Sequence, residues 1–326
     1  MTAKSHFGIL GRDSGLLDKA NKKIIAELLK DSRQSFVGLG KSVNLSKDSV
    51  QYRDRKLLDS NVILSSYVNI DFEKLGYYRY HLLLLLDETK QNRKNDLIEN
   101  LVKDPNVLKA TEFNASWDLE VVVVAKDVRD FDLIVGRLLD PFADMIRRKD
   151  TEAEIKTMNQ YSVVDKMFEG AKCDKIDMNI LRLLSENARV STYKIGAEIG
   201  FSADAVRLRI LKMRKSGVIK GFTIRLNLAE LKYLSFVFSF TTASLPSKEE
   251  SRLFTHLAQS PYTMTVKKLV GEWDFKYYLA VKSLDEYHNL IKDLKKSFPD
   301  YIQEYRSMIV YKEHVFDACP MALLED

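Results

Sequence analysis

Residues 18–63 recur 156 positions later as residues 174–219, without a gap and with 15 of 46 pairs identical. The matches include Asp18/Asp174, Lys19/Lys175, Arg33/Arg189, Gly40/Gly196, Ser46/Ser202, Asp48/Asp204, Val50/Val206, Arg53/Arg209 and Lys56/Lys212. The same offset pairs Pro105 with Pro261, and Trp117-Asp118 with Trp273-Asp274. Solenoid repeats have periods of roughly 20–50 residues, so this one marks a duplicated domain pair. Toward the end of each copy Met158 and Tyr161 meet Met308 and Tyr311 at an offset of 150. The first copy is therefore expected to carry an extra charged loop near Arg147 to Glu152.

Within each copy the pattern changes once. In the first part, Ile24, Ile25, Leu28 and Leu29 recur at helical spacing. A second helix is expected from Ser35 to Val43, then a tight turn at Asn44-Leu45-Ser46. Ser46 is a good N-cap for a third helix reaching Ser60. The second copy repeats this with Ile180, Leu181 and Leu184, a helix from Ser191 to Ile199, the turn Gly200-Phe201-Ser202, and a helix from Ala203 to Ser216. Residues 62–70 and 218–226 alternate in polarity and read as a strand or a hairpin. Three helices, a short turn between the last two and a strand wing describe a winged helix-turn-helix.

The second part of each copy alternates strand and helix. Copy one gives strand 78–86, helix 94–102, strands 107–115 and 117–125, helix 128–139 and strand 155–162. Copy two gives 234–242, 248–258, 266–270, 275–281, 284–298 and 305–314. The order βαββαβ is the ferredoxin-like split βαβ. The unbroken apolar run Val121 to Val124 predicts a strand covered on both faces. The expected fold is thus α+β: winged helix-turn-helix domains at 16–72 and 172–228, and ferredoxin-like domains at 73–165 and 229–318.

Several function classes are excluded. The longest apolar runs, such as Leu82 to Leu86, fall far short of the roughly 20 residues that span a bilayer. Residues 1–16 include Lys4, His6, Arg12 and Asp13 and no apolar stretch, so no signal peptide is expected and the chain reads as cytoplasmic. Cys173 and Cys319 are too far apart for a metal knuckle. His6, His81, His256, His288 and His314 show no ligand spacing, and no phosphate-binding or nucleophile-elbow motif occurs. No catalytic residue, metal or cofactor is expected.

Charge separates the two parts. Residues 18–60 hold 10 Lys/Arg against 6 Asp/Glu, and 174–220 hold 10 against 5. The strand-rich parts are acidic, with 14 basic against 17 acidic residues at 74–165 and 12 against 14 at 230–326. The third helices then become the candidate readers of double-stranded DNA. Val50, Asp54 and Leu57, and Val206, Ile210 and Met213, form inward stripes. The outward faces and shoulders offer Gln51, Tyr52, Arg53, Arg55 and Lys56 in copy one, and Arg207, Leu208, Arg209, Leu211 and Lys212 in copy two. Ser46 and Ser202 stand at the helix starts. Arginine suits guanine edges, glutamine suits adenine and lysine neutralises phosphate. Pairs identical in both copies (Arg53/Arg209, Lys56/Lys212) suit phosphate anchors or structural roles, and unequal pairs suit base reading. The competing reading is a solvated helix face used for protein contacts. Asp54 on an inward stripe is an anomaly: either a nearby base pairs with it, or its helix packs differently.

The loop Val270-Gly271-Glu272-Trp273-Asp274 is a second candidate site. Gly271 permits a left-handed turn, Trp273 supplies a flat apolar wall, and Asp274 can hold an ammonium group. The alternative is an ordinary hairpin turn with a core tryptophan. Copy one has Asn114-Ala115-Ser116-Trp117-Asp118 there.

These stretches resemble the leucine-responsive/asparagine-regulator (Lrp/AsnC) family of transcription regulators, over about residues 16–162 and 172–316. The specific segments are Lys175-Ile176-Asp177 through Leu184, Ser202 through Ile210, Gly217-Val218-Ile219, and Gly271 to Asp274. Copy one departs from the pattern with Asn21 for an acidic residue, Asn61 for glycine and Ala115 for the loop glycine. The resemblance implies that the ferredoxin-like (RAM-type) domains mediate self-association. It also implies an amino-acid-like effector, with Gly271, Trp273 and Asp274 the better site. A tandem chain then looks like a covalent pseudo-dimer facing two unequal half-sites. Siroheme decarboxylases use the same architecture and are the enzymatic alternative, with His81 and His314 as candidates for a tetrapyrrole cavity. A protein-binding scaffold is the third reading.

Overall fold

The computed structural model describes residues 17–158 and 173–324. The described residues divide into two compact units, one from residues 17–76, 173–232 and 323–324, the other from residues 77–158 and 233–322. Each unit draws on both copies, so like parts of the repeat are paired.

The first unit holds helices α1 (Lys19–Lys30), α2 (Phe36–Val43) and α3 (Lys47–Asp59) with strand β1 (Ile63–Ile70). Copy two adds α6 (Lys175–Glu186), α7 (Thr192–Ile199), α8 (Ala203–Lys215) and β6 (Ile219–Leu226). Every one of these helices starts on a side-chain cap: Asp18, Ser35 and Ser46, then Asp174, Ser191 and Ser202. Each cap satisfies an amide that the first helical turn leaves unpaired. Gly40 and Gly196 are identical for a steric reason. A Cβ on Gly40 would lie 2.6 Å from the Leu45 carbonyl oxygen, and one on Gly196 would crowd that of Phe201. Asn61, in place of the expected glycine, adopts φ 54° where Gly217 has φ 81°. Asparagine is among the few residues that tolerate this left-handed region.

Residues 62–70 and 218–226 resolve as single strands, not hairpins. β1 pairs antiparallel with β6, Val68 opposite Phe222. The wing is therefore shared between copies. The exchange is reciprocal: Ser32 N donates to Phe222 O at 3.0 Å and Ala188 N to Ser66 O at 2.9 Å. Asp71 N likewise donates to Val218 O, and Asn227 N to Val62 O. Such reciprocity is the mark of a twofold relation, here between halves of one chain.

The second unit contains β2 (Tyr78–Leu86), α4 (Gln91–Lys103), β3 (Val107–Phe113), β4 (Leu119–Ala125), α5 (Val128–Leu139) and β5 (Ile146–Met158). Copy two contributes β7 (Leu234–Thr242), α9 (Ser247–Gln259), β8 (Thr263–Val270), β9 (Phe275–Val281), α10 (Leu284–Ser297) and β10 (Ile302–Phe316). Both halves keep the order βαββαβ. Their sheets close into one eight-stranded barrel, β10-β3-β4-β2-β5-β8-β9-β7, joined between copies at β5·β8 and β10·β3. Closure removes the free strand edges.

β5 corrects the sequence reading. It begins at Ile146 rather than 155, and Arg147 to Glu152 form no extra loop. Its expected end at Ser162, with Tyr161, lies outside the described residues. The 156-residue offset also persists where 150 was expected. His81 faces Glu152 across β2·β5, and Val237 faces Met308 across β7·β10. A six-residue slip is even, so it leaves the inward and outward alternation unchanged, and hydropathy could not detect it.

β4 is buried at all seven positions, as the valine run implied. Leu82, Leu84, Val121 and Val123 pack against Leu97, Leu101, Ile134 and Leu138 of α4 and α5. Phe238, Phe240, Leu253 and Leu294 belong to the equivalent core in copy two. A third cluster mixes both copies: Leu83, Phe113 and Trp117 with Val237, Tyr278 and Met308. Among the described residues no helix is long and apolar enough to cross a membrane.

Candidate nucleic-acid interface

The two third helices are built alike. α3 buries Val50, Asp54 and Leu57, and α8 buries Val206, Ile210 and Met213. Gln51, Tyr52, Arg55 and Lys56 are exposed on α3, as are Arg207, Leu208, Leu211 and Lys212 on α8. Tyr52 and Leu208 are 69% and 64% exposed. Large apolar groups held in water beside cations suit a surface that is covered when it works. Ser46 and Ser202 are exposed caps, accepting from Ser49 N at 3.1 Å and Ala205 N at 3.2 Å.

Arg53 and Arg209 turn elsewhere. Arg53 Nη1 donates to Asp18 Oδ2 at 2.6 Å and Asn21 Oδ1 at 2.8 Å. Arg209 Nη1 reaches Asp174 and Asp177, each at 2.8 Å. The Asp177 backbone N–H and the Arg209 guanidinium hold the Asp174 carboxyl below its usual range. These arginines tie the third helix to the start of the first, which is the structural half of the expectation for identical pairs. Removing them from the free cations sharpens a difference between the helices. α8 retains Arg207, Lys212, Arg214 and Lys215 against Asp204, whereas α3 retains Lys47, Arg55 and Lys56 against Asp48 and Asp59. Arg55 is itself 3.8 Å from Asp59.

The Asp54 anomaly has a local answer. α3 packs as α8 does, so a different packing is not the reason. Burial pushes the Asp54 carboxyl up, and Arg189 of the other copy opposes it. Arg189 also donates to Ser32 O at 2.7 Å and lies over the Phe36 ring at 4.4 Å. Its counterpart Arg33 donates to Ala188 O at 2.5 Å. The two identical arginines thus clasp the copies to each other.

The second candidate site is built into a turn. Trp273 is buried under Arg306, whose guanidinium lies 5.2 Å from the ring centroid. Asp274 Oδ2 accepts from Thr242 N at 2.7 Å and Thr242 Oγ1 at 3.0 Å. Asp118 does the same in copy one, accepting from Leu86 N at 2.6 Å. A Cβ on Gly271 would lie 2.7 Å from Glu152 Cγ. Here the glycine, tryptophan and aspartate close a turn, and the Asp274 oxygen expected to hold an ammonium group already serves the end of β7.

Sequence reasoning missed a buried ionic cluster inside the barrel. His81 Nδ1 lies 2.9 Å from Glu120, and its Nε2 lies 3.2 Å from Glu154. Lys276 Nζ bonds Glu120 at 2.7 Å and also pairs with Glu152. Lys267 Nζ reaches Glu154 at 2.8 Å, Arg79 reaches it at 2.7 Å, and Tyr278 donates to Glu120 at 3.0 Å. Burial alone would raise Glu120 and Glu154, but Lys276 and His81, and Arg79 and Lys267, hold both well below the usual carboxylate range. Burial wins at Glu152, whose carboxyl is raised despite Lys276. A signal existed: Glu120 and Lys276 are lone charges in apolar strands, 156 positions apart.

His81, Glu120 and Glu152 have ligand atoms within 4.8 Å of one another. Lys276 already supplies the cation between the two carboxylates, so the trio does not fit a metal. Nor does the cluster fit the tetrapyrrole expectation. Both ring nitrogens of His81 are engaged, and His314 pairs with Glu112 at 2.7 Å. His6 lies outside the described residues.

An AsnC-type helix-turn-helix domain is matched twice, at residues 17–58 and 174–214. The HTH-type transcriptional regulator LrpB of Bacillus subtilis is 32% identical over 145 residues, 43% of this chain and 92% of that protein. The regulator FL11 of Pyrococcus horikoshii is 28% identical over 141 residues, 43% of this chain and 91% of its own length. Each such relative matches less than half of the chain, as a doubled module requires. The siroheme decarboxylase NirDL, a solved structure, is similar over 92% of this chain and 93% of its own, with a TM-score of 0.64 and 11% identity. That likeness is one of fold. With LrpB aligned over nearly its full length and the helix-turn-helix found in both copies, the chain belongs to the Lrp/AsnC family of helix-turn-helix transcription regulators.

Proposed function

We propose that this family member is a sequence-specific regulator of double-stranded DNA, acting as a covalent pseudo-dimer on two unequal half-sites. One observation carries the reading: a single unit pairs two helix-turn-helix copies whose outward faces share Lys56/Lys212 and differ at Gln51/Arg207, Tyr52/Leu208 and Arg55/Leu211. In this reading the shared lysines neutralise phosphate and the unequal residues address bases. The working division is helix-turn-helix at 16–72 and 172–228, and ferredoxin-like at 73–165 and 229–318, in a cytoplasmic protein. Duplex binding should fall linearly with the logarithm of salt concentration. Absence of binding above background at low salt would refute the proposal.

Self-association through the ferredoxin-like domains is supported by the barrel, where the two copies already pair within one chain. An amino-acid-like effector is the finer part, and the family resemblance supports it. Because Thr242 engages Asp274 Oδ2, such an effector would have to share or displace that contact, or use the other carboxylate oxygen. Its expected mark is a rise in melting temperature with one class of amino acid, abolished by Asp274→Ala. A panel of amino acids that leaves the melting temperature unmoved argues against it.

The fold shared with NirDL favours the enzymatic alternative. The carboxylate contacts that already occupy His81 and His314 oppose it. Titration with siroheme separates the readings: this proposal expects no spectral change in the tetrapyrrole, and a stoichiometric shift would support the enzyme.

A further inference from the structure

Glu120 and Lys276 occupy equivalent positions 156 residues apart, and they touch, with Lys276 Nζ 2.7 Å from Glu120 Oε1. A residue that meets its own equivalent lies on the twofold axis relating the copies. The charges there are opposite. Around that axis the other equivalents differ in the same sense. The strand registers make Glu152 the equivalent of Met308, Glu154 of Val310, His81 of Val237 and Lys267 of Thr111. Within the barrel, leaving His81 aside, copy one supplies the carboxylates of Glu120, Glu152 and Glu154 against the single guanidinium of Arg79, a formal −2. Copy two supplies the ammonium groups of Lys267 and Lys276, a net +2. Unlike halves therefore neutralise each other, and like halves do not.

We infer that these charges are a pairing code: the barrel surface of each copy fits the opposite copy and rejects a second of its own kind. Two first copies would enclose a net −4 and place Glu120 against Glu120. Two second copies would enclose +4 with Lys276 against Lys276. An unpaired buried charge is among the most costly features a protein interior can hold. At the barrel margin the partly exposed pairs Lys109–Glu313 and Arg148–Glu272 run in the reverse sense. Screening by water makes them weak. The pairs Lys94–Glu112 and Glu250–Lys268 are reversed in sign between copies, yet each lies within one copy, so it is indifferent to the partner.

The code meets a hazard that duplication creates. A chain with two self-complementary surfaces can join first copy to first copy, then second to second, in open-ended strings. Opposite charge on the axis closes the set. The inference concerns assembly and stands apart from DNA binding, although it would keep α3 and α8 together in one reading unit.

The test uses the full chain with a protease site placed in residues 159–172 and cut after purification. The cut protein is dissociated in urea, refolded by dilution, and its complexes are weighed by native mass spectrometry. The expected result is the unlike complex at least about a hundredfold over either like complex. Like complexes in amounts comparable with the unlike complex would overturn the inference, whether the halves meet by refolding or by exchange. Exchange without denaturant, between labelled and unlabelled cut protein, reads the same selectivity if refolding is poor. Glu120→Gln, Glu152→Gln and Glu154→Gln together should let first-copy pairs appear, and undiminished selectivity in that variant would remove the charges as its cause. The readout is a mass, so loss of DNA binding would leave this result intact.

Discussion

At the scale of the residue, position in the helix decides what an arginine does. Arg207 is exposed on α8, whereas Arg209 is tied to Asp174 and Asp177. Arg207→Ala should cost roughly 1–3 kcal/mol at one base position and relax specificity there, while Lys212→Ala weakens every sequence alike. Binding to a set of single-base operator variants distinguishes them, and equal losses on all variants for both mutants would show that Arg207 is no reader. Identity between copies could not separate anchor from reader, because the same arginine serves as a structural tie in both.

The barrel charges have an acid signature. Glu120 and Glu154 lie below their usual range when folded, so they stabilise above the unfolded value of about 4.5. That contribution is lost as pH falls from there toward the folded values. Glu152 is raised and works in the opposite sense, regaining stability as pH falls through its folded value. Glu120→Gln should lower unfolding free energy at pH 7 by about 3–5 kcal/mol and flatten the acid loss. Urea melts at pH 7 and below 4.5 measure both. An unchanged acid slope would remove Glu120 from the account.

At the scale of the element, the helix-turn-helix was legible because its signals are local. Caps, turn and buried stripe lie within a few residues of each other, and Ser46 and Ser202 start their helices as read. The start of β5 was not legible, since charged residues on its outward positions resemble a loop. The cluster around Glu120 was harder to read for another reason: the lone charges Glu120 and Lys276 stand 156 positions apart, on strands that the fold alone brings together. Glycine gives a sharp test at this scale. A Cβ on Gly196 would crowd backbone at Phe201, whereas one on Gly221 meets nothing within 4 Å. Gly196→Ala should therefore lose about 1–3 kcal/mol and several degrees of melting temperature, and Gly221→Ala almost nothing. Equal melting curves would mean that the α7–α8 turn does not need the close approach.

At the scale of the whole molecule, a modest net charge of +5 conceals a division of labour. Basic helix-turn-helix copies pair in one unit, and acidic ferredoxin-like copies pair in the other. Duplication in a single chain frees the two copies to diverge, and they have done so most where the account needs it, on the outward faces of α3 and α8 and on the axis of the barrel. The self-similarity that revealed the doubled module also hid how its parts pair, because the repeat gives the parts but not which part meets which. Selection of bound duplexes from random DNA, followed by footprinting of the recovered sites, is the decisive test of DNA reading by unequal helices. Two half-sites of different sequence about one helical turn apart are expected, with Arg207→Ala altering only one of them. A perfect palindrome altered equally in both halves, or no enrichment at low salt, would contradict it.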